Sequence, residues 1–138
     1  MIDYERIREK LHELSKRYQI RDIAIDMWNA AALAQQLQAD GINVVAFRQG
    51  YATMSPACKD FEALMLRGQL RHDGNPVLRW CVGNSVIEQD SAGNIKASKS
   101  KSTEKIDLLV AGVMATARAR LGEVAGSSVY EGRGLELL

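Results

Sequence analysis

The sequence predicts an α/β fold, and three observations carry that expectation. Two short apolar runs, residues 22–26 and 42–47, flank a helix-forming segment and join it through short turns. Strand, helix and strand connected in this way make a βαβ unit, so the two strands should run parallel with a right-handed crossover. An amphipathic helix precedes the unit, and further helix start signals follow it. A chain of 138 residues fits one domain with a real core and is too short for two.

Each element has its own local reason. Over residues 4–18, Ile7, Leu11, Leu14 and Tyr18 recur at spacings of four, three and four, a stripe along one helical face that should turn toward the core. Residues 22–26 are too few for a helix and rich in Ile and Ala, as a buried strand requires. Asn29 can cap the next helix, which carries Leu33 and Leu37 and stops at Asp40-Gly41. Ile42 to Phe47 is the second strand. Ser55-Pro56 and Asn75-Pro76 each pair a capping residue with proline at the first helical position, so both should open helices. The first is expected to bury Phe61, Leu64 and Met65 and stop at Gly68; the second to bury Leu78, Cys81 and Val82. Asp90-Ser91-Ala92-Gly93-Asn94 lies between apolar residues and predicts a hairpin turn. Ser102 or Thr103 should cap a last helix ending near Leu121, and residues 122–138 lack periodicity and are expected to form a flexible tail.

Composition excludes several classes. The 46% hydrophobic and 25% charged content is that of an ordinary soluble globular chain. Nothing in it resembles a signal peptide or a membrane span, which predicts a cytoplasmic protein without membrane association. Cys58 and Cys81 stand in no ligand spacing and fit a reducing compartment. There is no GxxxxGK[ST] phosphate loop, so ATP-driven work would need another chain or domain. A net charge of +1 conceals a cluster of Lys96, Lys99, Lys101 and Lys105, compatible with a polyanion or with a solvated face.

Two acids stand out. Asp26 ends the first strand, where open parallel sheets place their ligands, although an Asx turn or helix cap explains an aspartate there equally well. Asp107 lies in the first turn of an apolar helix and is expected on a buried surface, where a metal would offset the desolvation of its charge. Its simpler alternatives are the helix dipole and a pair with Lys105 or Arg118. Arg48 follows the second strand and should look onto the same crevice as Asp26, contacting phosphate or solvent. His72 sits in a loop where a solvated ring is the ordinary case. Trp28 and Trp80 could stack bases, but core packing is the commoner role.

The chain resembles the C-terminal nuclease domain of the large terminase subunit of tailed bacteriophages. The resemblance rests on Ile23-Ala24-Ile25-Asp26-Met27-Trp28-Asn29-Ala30, Phe47 to Pro56, Leu70 to Trp80 with its Asp73-Gly74-Asn75-Pro76, Asp90 to Lys96, and Lys105-Ile106-Asp107, in the family's order over roughly residues 20–118. It implies an RNase H-like fold over residues 1–121, here with an incomplete sheet around the parallel βαβ core and several flanking helices. It further implies a metal-dependent endonuclease that cuts concatemeric DNA during genome packaging, with Mg2+ or Mn2+ as cofactor. Asp26 and Asp107 match two of the family's three metal-holding, catalytic acids. The first acid has no match, because the family's three-strand antiparallel meander has already ended where this chain begins; Asp3 precedes a helix and does not fill that role. The sequence also departs from the family at Met27 and Leu108, neither of which removes a ligand.

Two-metal hydrolysis holds its ions about 3.5 to 4 Å apart on clustered carboxylates. Asp26 and Asp107 are therefore expected within about 8 Å of each other, each oxygen roughly 2.1 Å from a shared ion with water completing the shell. Arg48, His72, Lys99, Lys101 and Lys105 are the candidate nucleic-acid contacts. The implied partners are double-stranded DNA, the terminase ATPase domain, the small terminase subunit and the portal. The strand edge beside residues 22–26, where the family's first strand pairs, is expected to bind a second copy in a homodimer or to be covered by residues 1–18 or the tail. The rival reading keeps the fold and makes the chain a non-catalytic DNA-binding or assembly module, as loss of the first acid would favour.

Overall fold

The computed structural model describes residues 2–28 and 30–134, with side chains to residue 122. It is a mixed α/β chain of five helices and four short strands among the described residues. It divides into two compact units, Met1–Gln49 and Gly50–Leu138.

The first unit contains α1 (Tyr4–Arg17), β1 (Ile23–Ile25), α2 (Ala31–Ala39) and β2 (Val44–Ala46). The expected parallel pair is present, with Ile23 opposite Val44 and Ile25 opposite Ala46. Its ladder is extended by Ile23 N–H donating to Asn43 O at 2.9 Å and Phe47 N–H to Ile25 O at 2.8 Å. Leu33, Ala34 and Leu37 of α2 are buried, as is Phe47. The helix stops where Asp40-Gly41 predicts, Gly41 taking the left-handed φ of +83° that glycine tolerates at no steric cost. Asn29 lies outside the described residues; Ala30 stands at the N-cap of α2 and makes no side-chain cap bond.

Asp3 caps α1, accepting from Arg6 N–H at 3.2 Å. The expectation that α1 faces the core is not met, because none of its residues is buried and Ile7 and Tyr18 are exposed. Charge ties it to α2 instead. The Asp40 carboxylate accepts from Arg8 Nε at 2.5 Å and Nη2 at 2.6 Å, and lies 2.8 Å from His12 Nε2.

The second unit contains α3 (Tyr51–Leu66), α4 (Pro76–Asn84), β3 (Ile87–Gln89), β4 (Ile95–Ala97) and α5 (Asp107–Gly134). Helix α3 begins at Tyr51, so Ser55-Pro56 lies within it and does not start it. Pro56 has no N–H for the helical bond to the carbonyl four residues back. The Ser55 hydroxyl, buried and unavailable as a cap, accepts from Ile95 N–H of β4 at 3.0 Å. Met54, Ala57 and Cys58 form the buried face of α3, while Met65, expected inside, is exposed. The helix ends as expected at Gly68, where φ is +66°.

Asn75 caps α4 as predicted, accepting from Val77 N–H at 2.9 Å and Leu78 N–H at 3.2 Å. Cys81 is buried, Leu78 is half-buried and Val82 is exposed. The predicted hairpin pairs β3 and β4 antiparallel, with Glu88 opposite Lys96. Its turn is organised by Asp90, whose carboxylate accepts from Ala92 N–H at 3.0 Å, Asn94 N–H at 2.8 Å and Asn94 Nδ2 at 2.8 Å. These bonds, that from the Asn94 side chain foremost, hold the Asp90 carboxyl below its ordinary range.

Helix α5 starts at Asp107, several residues after the expected caps. Ser102 is engaged elsewhere: its hydroxyl donates to Ser98 O at 2.5 Å and accepts from Val86 N–H at 3.1 Å. Ile106, Leu109, Val110, Val113 and Met114 supply the buried side of this region at helical spacing. The helix continues to Gly134, past its expected end near Leu121. Gly122 and Gly126 disfavour a helix by only about 1 kcal/mol each and no proline interrupts the segment. Residues 135–138 of the expected tail lie outside the described residues. No helix among the described residues is long and apolar enough to cross a membrane.

Candidate functional site

Asp26 directly follows β1, at the carboxyl end of the parallel pair, and is half-buried. Its Oδ1 accepts from Trp28 N–H at 3.3 Å, so the Asx turn anticipated as the simpler role of this residue is formed. The turn uses one lone pair and leaves the carboxylate free to take further partners. Trp28 is 84% exposed and Trp80 is 47% exposed, so neither is the core residue expected. Arg48 follows β2 and is exposed; in a parallel pair this is the same end at which Asp26 emerges.

Asp107 is not buried as expected, its side chain being 68% exposed. The preceding residue, Ile106, takes the inward position at 1% exposure. Successive helical residues are turned about 100° apart, which carries the next side chain out to solvent. Its ionic partner is Lys99, with Nζ at 3.4 Å from Oδ1, in place of the expected Lys105 or Arg118.

The rest of the lysine cluster is divided among other partners. Lys101 Nζ lies 3.5 Å from Glu88 Oε1. A bond to the Ser98 side chain, followed by the charge of Lys101, lowers the Glu88 carboxyl. The Lys96 ammonium sits 4.6 Å from the centre of the Tyr51 ring, a cation–π contact. Tyr51 has its phenol raised, by burial first and then by Glu88 and Asp90. Lys105 is exposed. His72 is exposed in its loop, and its Nδ1 accepts from Gly74 N–H at 3.0 Å. It borders a cleft of about 540 Å³ whose floor includes Phe61, Leu70 and Leu78. Cys58 and Cys81 are free and buried, with burial pushing the Cys58 thiol up.

The donor chemistry of the two acids suits a hard divalent cation. Each is a carboxylate with solvent access, and magnesium-like ions keep several waters alongside one or two carboxylates. The number is low: among the described residues no group of three or more His, Cys, Asp or Glu is gathered as a metal site, and Asp26 and Asp107 belong to different units. The ion pair of Lys99 with Asp107 was hidden in the sequence. The lysine run was visible, but which lysine reaches the acid depends on how the turn after β4 is tied down.

Comparison with known proteins identifies the class. The family described as the terminase large subunit, endonuclease domain, matches residues 1–123, and the chain belongs to that family. It is 37% identical over 125 residues to the terminase large subunit of Enterobacteria phage HK97, covering 89% of this chain and 25% of that protein. It is 36% identical over 125 residues to protein YmfN of Escherichia coli strain K12, covering 88% of this chain and 27% of that protein. The chain thus spans about a quarter of the length of these curated relatives. The crystal structure of the HK97 bacteriophage large terminase superposes with a TM-score of 0.75 at 36% identity, over 82% of this chain and 24% of that one.

Proposed function

We propose that this chain acts as a nuclease segment of RNase H-like architecture in a large terminase subunit, contributing to metal-dependent endonucleolytic cleavage of concatemeric DNA during genome packaging. The observation that carries the reading is Asp26 at the carboxyl end of a parallel strand, the place where α/β sheets gather their ligands, in a chain of this family. Asp26 and Asp107 each supply a carboxylate ligand for Mg2+ or Mn2+. A divalent cation held by such a carboxylate would supply an activated water and stabilise the leaving oxygen of the phosphodiester. Arg48, at the strand ends of the first unit with Asp26, is a DNA-backbone contact, and His72, Lys99, Lys101 and Lys105 are cationic DNA contacts of the second unit. The partners that go with this role are double-stranded DNA, the terminase ATPase domain, the small subunit and the portal. Because β1 pairs with one strand only among the described residues, its other edge is the proposed contact of a second copy. Light scattering should show a dimer of this polypeptide, and a strict monomer would remove that element.

The test is nicking of plasmid DNA by this polypeptide with Mn2+, compared with Asp26→Asn and Asp107→Asn. Slow nicking that needs the metal and disappears in both variants is the expected result. Nicking that persists in both, or that proceeds in EDTA, would overturn the assignment. A second reading, a non-catalytic DNA-binding or assembly module, is favoured by one observation: Asp107 is already neutralised by Lys99. Retention of DNA in a gel shift without any nicking would select it.

A further inference from the structure

We propose that Trp28 is a base-stacking residue: its indole takes the face of an unpaired nucleotide at the carboxyl end of β1 and makes the chain prefer a frayed or single strand to intact duplex. The inference rests on the reading of that strand end as a DNA contact and goes beyond it by naming the state of the nucleic acid received there.

Three observations meet at this residue. Tryptophan is ordinarily well covered in a folded domain, yet Trp28 is 84% exposed. Met27 beside it is exposed as well. The backbone that presents the indole is nevertheless pinned: Trp28 N–H donates to Asp26 Oδ1 at 3.3 Å, and Ala30 N–H donates to Met27 O at 3.3 Å. An exposed ring on a tied turn, with only two side-chain torsions to fix, meets a partner at small entropic cost.

Position selects the partner. Arg48, exposed, leaves β2 at the same end, since Ile25 stands opposite Ala46 and Phe47 N–H still reaches Ile25 O. A guanidinium for a phosphate and an indole for a base together match a nucleotide, whereas an apolar protein surface would offer the arginine nothing. Two residues of chain span at most about 7 Å, so the backbone of Trp28 lies within about two nucleotides of Asp26 along a strand that rises about 3.4 Å per nucleotide. The gain from stacking one base on an aromatic ring is no larger than the cost of pulling a paired base out of its duplex. Stacking on Trp28 therefore does not open intact duplex, and it is realised in full where the base is already unpaired.

The experiment uses this polypeptide with Trp80→Phe, which leaves Trp28 as its one indole, and titrates it in EDTA with a short oligothymidylate and with a blunt hairpin duplex. Binding of the single strand should quench the indole emission and shield it from acrylamide. Affinity for the oligothymidylate, read by the anisotropy of a labelled strand, should fall about five- to tenfold in Trp28→Ala and return in Trp28→Phe, with duplex affinity unchanged in both. A residue needed only for the local fold would weaken both forms alike, so an equal loss overturns the proposal. Unchanged single-strand affinity in Trp28→Ala does so too, as does an indole still open to acrylamide in the complex. Arg48→Met should weaken both forms of DNA. If neither form binds, or Arg48→Met weakens neither, the DNA reading of this strand end falls and the proposal with it. Duplex binding that depends on Arg48, without any response of Trp28 to single strand, sinks the proposal alone and leaves the indole to a protein partner.

Discussion

The two compact units keep their helices in place by different physics. In Gly50–Leu138, helix α5 presents a buried row from Leu109 to Met114 and α3 presents Met54, Ala57 and Cys58. In Met1–Gln49, no residue of α1 is fully buried, Leu11 and Leu14 being half-buried, and the helix is tied to α2 by the cluster of Arg8, His12 and Asp40. Burial is non-directional and spread over many atoms, so it survives small losses. A polar clasp depends on a few groups and on pH. A regular apolar stripe thus does not by itself decide what holds a helix.

The comparison is broken most severely in the core. Ile106→Ala should cost about 2–5 kcal/mol and abolish the two-state melt near its wild-type temperature, because it empties a fully enclosed position just before α5. A loss below 1 kcal/mol by urea titration would show that this region is not packed as described. Ser55→Ala is next, at about 1–3 kcal/mol, since it strands the Ile95 N–H that the hydroxyl satisfies. A chemical-denaturation curve superimposable on the wild type would contradict that bond.

A local effect is expected at the clasp. Asp40→Asn should raise hydrogen exchange in α1 while leaving α2 protected; equal exchange in both variants would mean that the clasp holds nothing. Its pH dependence follows from the sign of the shift. Arg8, and then His12, hold the Asp40 carboxyl well below the usual carboxylate range, so its contribution is present above the unfolded value and is lost as pH falls through the folded one. Protection of α1 should therefore be flat from pH 8 to about 5 and decline progressively in stronger acid. The Arg8 guanidinium, raised by the same carboxylate, stays charged throughout. Smallest of all, Asp107→Asn should change stability by no more than about 0.5 kcal/mol, because the side chain is mostly solvated. A larger loss in thermal melts would give Asp107 a structural role.

Much of this molecule was legible in its residues. The helical stripe placed α1, short apolar runs and the Asp40-Gly41 stop placed β1, α2 and β2, and the Asn75-Pro76 cap and the Asp90 turn placed α4 and the hairpin, because these are local signals carried by adjacent residues. The ordered motifs pointed to the terminase nuclease family that the comparisons then showed. Asp26 emerged where strand grammar put it. Long-range partners were decided only by the tertiary structure. Ser55 looked like a cap until β4 supplied an N–H for its hydroxyl, and Ser102 looked like one until Ser98 and Val86 claimed it. Asp107 was expected inside because its neighbours are apolar, yet Ile106 occupies the inward direction and leaves the acid to Lys99. A side chain's direction and its partners depend on residues far away in the chain, and no local pattern encodes them.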